Sequence, residues 1–184
     1  MPAYTQNMTE RQEYTVLRTY QDFELRQYLP CVLAEVRVSA KYSTATNRAF
    51  SPLFNYISKG NKASQAIAMT APVIATQKAD NVEPNDWYVS FVMPSGSRFG
   101  HLPHPNDPQV KLRELDSEIC VAKSFRGRAT DELSRKVTEE LRQSAANANL
   151  ALSNETRICR FDPPFKPGFL QYNEIVIPAY LDVV

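Results

Sequence analysis

The feature that most constrains the fold is a pattern that occurs twice in the chain. The segment 88–94 (YVSFVMP) returns 84 positions later as the segment 172–178 (YNEIVIP), with tyrosine, valine and proline aligned. A second match, at an offset of 89, aligns the Cys-Val pair at 31–32 with the Cys-Val pair at 120–121. A repeat with this spacing indicates a duplicated supersecondary unit, so we expect two similar halves.

Each half combines short strands with one amphipathic helix. Apolar residues at steps of three or four predict helix A over residues 42–57, with Pro52 expected to bend or divide it. The same spacing predicts helix B around residues 133–145, capped by Thr130 or Asp131. Strands are predicted at 14–20, 23–28, 31–38, 67–76, 87–93, 110–115, 119–125, 153–161 and 170–177.

Length and composition fit one domain. The chain has 184 residues, of which 43% are hydrophobic and 22% are charged, so it holds enough apolar material for an ordinary core. We expect a flexible N-terminal tail at 1–12 and a single domain at 13–184. The order of the elements predicts an α+β fold with a mostly antiparallel sheet and two helices related by the internal repeat.

Charge and hydropathy exclude several classes of partner. A net charge of +1 gives no broad basic surface for nucleic acid or anionic lipid. No stretch approaches the roughly 20 apolar residues of a membrane-spanning helix, and the N-terminus has no apolar signal core, so we expect a cytoplasmic protein. Three cysteines without a C-x-x-C spacing are expected to be buried free thiols.

Signals for metal binding and covalent catalysis are weak. His101 and His104 are the only histidines, and they stand three residues apart in a proline-rich loop that is more simply interpreted as solvated. Their spacing also permits a metal-ligating role. The chain lacks the H-E-x-x-H, G-x-S-x-G, G-x-G-x-x-G and P-loop motifs, so the sequence does not predict an enzyme of those classes.

One carboxylate stands out in the strand that ends the repeat. Strand alternation places Glu174 on the same face as Tyr172, away from Ile175 and Ile177. With Tyr172 and its repeat mate Tyr88, Glu174 would form a pocket for a cationic ligand, or it would serve as the base of a hydrolase. The simpler interpretation is that Glu174 is solvated or paired with an arginine.

A further candidate is an apolar groove with a basic rim, formed by one face of helix A, the residues just after it and the proline-rich loop at 161–170, called the late proline-rich loop below. Such a groove suits a flat amphipathic ligand that carries carboxylates. The same helix stripe is also typical of a core face. The residues of this candidate site are Phe50, Phe54, Tyr56, Lys59, Lys62, Phe165 and Lys166.

Three motifs give the chain a family resemblance. The MTAPV motif at 69–73, the FDPPFKP loop at 161–167 and the Asn-Glu pair at 173–174 make the chain resemble the SOUL family of haem-binding proteins over residues 13–178. This resemblance implies a distorted β-barrel built from two similar halves, each with a helix packed on the sheet. The chain also resembles the effector-binding domains of some bacterial transcription regulators, which bind bulky drugs in a concave site.

The resemblance also implies a ligand and a site. It implies a non-covalently bound haem or other porphyrin that rests against helix A and the late proline-rich loop. By position, Phe50 and Phe54 would make apolar contacts and Lys166 would meet a propionate.

The chain departs from the family on helix A. Asn47 and Asn55 stand where family members have basic residues, a mid-helix lysine is missing, and the proposed axial histidine has no counterpart near residues 28–35. Weak binding, a different iron ligand and loss of binding therefore all stay open. The remaining candidates are Arg48, Lys59 and Lys62 for basic contacts, and His101 or His104 for the iron.

The leading hypothesis is a non-enzymatic carrier or buffer for haem or a related tetrapyrrole, with no nucleic-acid partner. One alternative is a small-molecule binding module for cationic ligands centred on Glu174. The other is a hydrolase that uses Glu174 as its base.

Overall fold

The computed structural model describes residues 9–78, 83 and 85–181. Each half of the repeat contributes one α-helix between its strands, and the strands and α-helices within these ranges are β1 Glu10–Arg11, β2 Tyr14–Thr19, β3 Glu24–Tyr28, β4 Cys31–Ser39, α1 Tyr42–Ile57, β5 Thr70–Ala71, β6 Val73–Gln77, β7 Asp86–Val92, β8 Lys111–Leu115, β9 Glu118–Arg126, α2 Asp131–Asn147, β10 Ala151–Leu152, β11 Thr156–Arg160 and β12 Tyr172–Tyr180. Two short 3₁₀ helices, Phe99–His101 and Gly168–Leu170, precede β8 and β12.

The main sheet is curled into a half-barrel with the strand order β2-β3-β9-β12-β11-β6-β7-β4-β8, and all of its neighbours are antiparallel. The short β10 pairs with β12, and β1 pairs in parallel with β5. The order is symmetric about the β6–β11 pair, since β7 corresponds to β12, β4 to β9 and β8 to β3. The two matched segments of the repeat fall on β7 and β12 and on β4 and β9, which confirms the duplicated architecture.

Both helices pack against one face of the sheet. α1 contacts β4 and β7, and α2 contacts β9, β10 and β12. Period-two alternation sends Val36, Val89 and Ile175 to this face, where they are buried against the helices. Neither of the described helices is long and apolar enough to cross a membrane.

The helix ends follow local chemistry. α2 begins as predicted at Thr130, whose hydroxyl accepts the Leu133 N–H at 3.1 Å. α1 covers the predicted residues, but Pro52 does not divide it. The carbonyl that Pro52 leaves without a donor belongs to Arg48, which is exposed, so water can take the place of the missing bond.

The C-terminal end of the predicted tail is paired with the rest of the protein. Residues 1–8 lie outside the described part of the chain, but Glu10–Arg11 forms β1. The Gln12 N–H donates to the Ala71 carbonyl at 2.9 Å, and the Arg11 guanidinium lies 4.9 Å from the Phe161 ring centre. Backbone pairing and a cation–π contact therefore hold a segment whose polar composition suggested no partner.

Candidate ligand-binding cleft

A cleft of about 590 Å³ opens between the N-terminal half of α1, the start of α2 and the loop that joins β11 to β12. This arrangement brings helix A and the late proline-rich loop together, as the sequence suggested. The lining residues are Tyr42, Ser43, Thr46, Asn47, Arg128, Ala129, Thr130, Asp131, Glu132, Arg160, Pro164 and Gln171.

A row of side chains on the helix-facing side of the sheet leads from this cleft along α1. Arg160 pairs with Val73 across β11 and β6, and Val73 pairs with Phe91 across β6 and β7. Directly paired residues project to the same face of a sheet. The Phe91 ring in turn contacts Phe50 edge-on, with ring centres 5.7 Å apart. Arg160 and Phe50 therefore lie at two ends of one short row.

The two phenylalanines of helix A are surface residues. The side chains of Phe50 and Phe54 are 40% and 46% exposed, and their rings stack with centres 5.7 Å apart. They continue the helical row that starts at Ser43 and Asn47 in the cleft, because residues three and four apart share a helix face. The buried stripe of α1 lies on another side of the helix, so this pair does not form the core.

The late loop is anchored by Asp162 and leaves its apolar side chains free. The Asp162 carboxylate accepts the Tyr172 N–H at 2.7 Å and the Lys166 ammonium at 2.9 Å. Phe165 and Phe169 are 87% and 76% exposed. The charge of Lys166, the basic residue that the family resemblance singles out, is therefore balanced inside the loop.

Acidification is expected to loosen this loop. Burial alone would raise the pKa of Asp162, but the Lys166 and Tyr172 hydrogen bonds outweigh burial and lower the pKa below its ordinary value. A carboxylate with a lowered pKa stabilises the fold above its unfolded pKa, near 4, and that contribution is lost as the pH falls through the folded pKa.

We expect amide hydrogen exchange at Lys166 and Tyr172, corrected for intrinsic rates, to accelerate between about pH 4 and pH 3. In Asp162→Ala, which has no acceptor for the Tyr172 N–H or the Lys166 ammonium, the corrected exchange should already be fast at pH 6. Equal protection in both proteins at pH 6 would contradict the anchoring role of Asp162.

The other predicted basic and histidine residues lie away from this cleft. Lys59 lines a separate cleft of about 480 Å³ with Asn106 and Asp107, and the Lys62 N–H donates to the His104 carbonyl. Lys59 and Lys62 follow the C-terminal end of α1, which lies about 20 Å along the helix axis from Tyr42 at 1.5 Å per residue. Among the described residues, no group of three His, Cys, Asp or Glu side chains is placed to hold a metal ion. His101, His104 and Arg48 are exposed.

Two arginines that are not among the predicted site residues line the cleft instead. Arg160 ends β11 immediately before the FDPPFKP loop, and Arg128 lies two residues before the cap of α2. Arg160 is half-buried and Arg128 is exposed. In the sequence, Arg160 stands next to the FDPPFKP loop and Arg128 next to the cap of α2, which is the signal that could have pointed to them. Only the pairing of β11 with β6 brings Arg160 toward α1.

Tyr42 also lines the cleft, and its hydroxyl is buried. The residue is 3% exposed, and its ring packs against Trp87 with centres 5.2 Å apart. Within the described part of the chain its hydroxyl has no hydrogen-bond partner. Burial raises the pKa of Tyr42 to about 12, although the nearby Arg160 charge opposes the shift. The hydroxyl is therefore a protonated donor at neutral pH.

The Glu174 site on the opposite face of the sheet is occupied by the protein itself. Arg26 donates two hydrogen bonds to the Glu174 carboxylate, at 2.9 and 3.0 Å, and the Tyr172 hydroxyl donates a third at 2.7 Å. Glu174 is 3% exposed, and the cavity beside it measures about 30 Å³. Tyr88 lies three strands away from Glu174, and the Lys78 ammonium lies over its ring. The pocket expected from Tyr88, Tyr172 and Glu174 is therefore not assembled.

Two other concavities suit a tetrapyrrole less well. The larger of these two, about 1030 Å³, is an open groove between α2 and the residues Asp22 and Lys123, and it is lined mainly by charged side chains. A cavity of about 330 Å³ adjoins β1 and is lined by residues that include Gln12 and Gly96. Neither offers a pair of exposed aromatic rings comparable with Phe50 and Phe54.

Comparisons with known proteins agree with this architecture. Heme-binding protein 1 of Xenopus laevis is 25% identical over 150 residues, which are 79% of this chain and 77% of the relative. The EcmrR C-terminal domain has a TM-score of 0.64 at 16% identity, covering 91% of this chain and 98% of that one. A hydrolase encoded by lin2189 from Listeria innocua has a TM-score of 0.57 at 10% identity, covering 89% and 94%. At these identities the two structures show a shared fold alone.

The match that decides the family covers nearly the whole domain. The SOUL heme-binding protein family model matches residues 9–178, which include both halves of the repeat, both helices and the late loop. The chain belongs to the SOUL heme-binding protein family.

Proposed function

We propose that this protein is a non-enzymatic carrier or buffer for haem or a related tetrapyrrole, which it binds between α1 and the late proline-rich loop. The observation that carries the proposal is the stacked, exposed pair Phe50 and Phe54 on a helix face that continues into the cleft. Membership of a heme-binding family supports the same ligand class.

The free energy of binding would come mainly from covering exposed apolar area. Four phenylalanines leave aromatic surface in water, namely Phe50, Phe54, Phe165 and Phe169. A ligand that covers this surface gains about 25 cal/mol of binding free energy for each Å² of apolar area removed from water. A flat macrocycle laid on the Phe50–Phe54 stack would bury its own apolar face at the same time. An exposed aromatic surface next to a cleft is typical of a ligand-binding site.

The residues of the cleft fit a tetrapyrrole better through its faces and edge than through an axial histidine. No histidine is among the residues that line the cleft, and His101 lies in the turn that follows β7. When bound, haem would bring its own iron chemistry. The part of the protein is to shield one face of the macrocycle and to meet its carboxylates.

The alternatives that centre on Glu174 have no comparable support. A cationic ligand would have to displace Arg26 and the Tyr172 hydroxyl from a carboxylate beside a cavity of about 30 Å³. A general base would need a free lone pair facing a substrate, whereas both Glu174 oxygens accept hydrogen bonds from the protein.

The test is a titration of the purified protein with hemin and, in parallel, with metal-free protoporphyrin IX, followed by the Soret band. We expect saturable one-to-one binding of both compounds, because the macrocycle face supplies most of the affinity. Absence of a saturable change with either compound would overturn the proposed function. Binding of hemin alone would show that iron ligation, rather than the apolar face, dominates.

A further inference from the structure

We infer that the cleft has a dedicated carboxylate-binding end formed by Arg160 and Tyr42, so that its ligands must carry an acid group. The inference deepens the proposed function, on which it rests for the identity of the macrocycle. It replaces Lys166, which pairs with Asp162, as the main cation for the ligand.

The first argument is the isolation of the Arg160 charge. Three arginines on the opposite face of the sheet each have a carboxylate: Arg26 has Glu174, Arg113 has Glu35 and Arg157 has Glu118. Arg160 is half-buried on the helix-facing side, and within the described residues it has no ion-pair partner.

Such an arrangement has a clear electrostatic meaning. Removing a guanidinium from water without a counter-charge is costly, and proteins normally avoid it. An unpaired, half-buried arginine in the lining of a cleft is suited to bind an anionic group of a ligand. A carboxylate matches the planar fork of the guanidinium.

The second, independent argument is the Tyr42 hydroxyl. The hydroxyl is buried and has no hydrogen-bond partner in the part of the chain that the structure describes, and Tyr42 is one of the residues that line the cleft. A buried donor without an acceptor is unfavourable, and a ligand oxygen held at Arg160 would satisfy it. Because burial raises the pKa of Tyr42 to about 12, the hydroxyl keeps its proton at neutral pH and can donate it.

The acidic residues of the cleft determine where the ligand acid can sit. Asp131 and Glu132 also line the cleft, exposed in the first turn of α2, where the helix N-terminus stabilises them, and the Asp131 charge adds to the effect of burial in raising the pKa of Tyr42. They would repel an acid at the rim. The favourable position is therefore the deeper one, between Arg160 and Tyr42, with the macrocycle extending toward Phe50.

The first experiment compares protoporphyrin IX with its dimethyl ester, in the same detergent-containing buffer, on four proteins: wild type, Arg160→Gln, Tyr42→Phe and Arg18→Gln. Arg18 is an exposed arginine of β2 outside the cleft lining and serves as the control. We expect the wild type to bind the diacid about tenfold more tightly than the diester. Arg160→Gln should abolish this preference by weakening the diacid alone, and Tyr42→Phe should reduce it about threefold.

The outcomes separate this inference from the proposed function. An unchanged acid preference in Arg160→Gln, with wild-type porphyrin binding, would overturn the inference and leave the proposed function standing. If the wild type binds neither porphyrin, the proposed function fails, and fluorescence titration with pyrenebutyrate and pyrenebutanol decides the inference. A preference for the acid that requires Arg160 would support it, and no preference would overturn it. Circular dichroism of each variant excludes unfolding as the cause.

Discussion

Glu174→Ala is expected to destabilise the protein by about 3 kcal/mol or more. The substitution removes the partner of Arg26, whose side chain is 5% exposed, and leaves that guanidinium with Glu24 at the edge of the same network. It also leaves the Tyr172 hydroxyl without its acceptor. The measurement is urea unfolding monitored by circular dichroism, where the midpoint should fall at an unchanged slope.

The control for this prediction is a glutamate at the surface. Glu114 in β8 is exposed and has no ion-pair partner among the described residues, so Glu114→Ala should leave the midpoint close to wild type. The double variant Arg26→Met/Glu174→Leu removes both charges and should recover part of the stability lost in Glu174→Ala. Equal midpoints for Glu174→Ala and Glu114→Ala would refute a structural role for the buried pair.

The double variant Phe50→Ala/Phe54→Ala is expected to weaken hemin binding by about 2 kcal/mol, or about 30-fold in Kd. The two rings are partly exposed and stacked, so their removal takes away the apolar surface for the macrocycle, at the cost of the contact between Phe50 and the core residue Phe91. The measurement is the same Soret titration on wild type and variant, together with thermal unfolding, which should show that the variant is still folded at the titration temperature.

Two single variants calibrate this effect. Lys166→Ala should change the hemin affinity much less, because Asp162 already balances the Lys166 charge. Phe99→Ala removes a phenylalanine of similar exposure, 45%, that does not line the cleft, and should leave the affinity unchanged. Equal affinity in the wild type and the Phe50→Ala/Phe54→Ala variant would rule out the α1 surface.

The fold could be predicted because its signals are local. The apolar spacing over 42–57 matches α1 residue for residue, and the hydroxyl of Thr130 caps α2 as expected. The repeat added the one long-range fact, since segments related by sequence occupy related places in the symmetric strand order. Alternation in β12 also placed Glu174 correctly, on the face away from the helices.

What the sequence did not reveal depends on how distant strands meet. Arg26 and Glu174 are 148 positions apart and pair because β9 lies between β3 and β12. Lys59 and Lys62 seemed close to the apolar pair of helix A, but they follow the end of the helix and lie toward another cleft. Arg160 reaches the ligand-binding cleft only through its cross-strand row with Val73 and Phe91.

The central claim is that the tetrapyrrole binds on the helix-facing side of the half-barrel, between α1 and the late loop. Amide shift mapping of the ¹⁵N-labelled protein with metal-free protoporphyrin IX tests it most directly. The predicted result is large shifts for Asn47, Phe50 and Gly168, with the signals of Gln12 and Gly96 in the cavity beside β1 unchanged. Shifts confined to Gln12 and Gly96 would contradict the claim and place the ligand on the opposite face of the sheet.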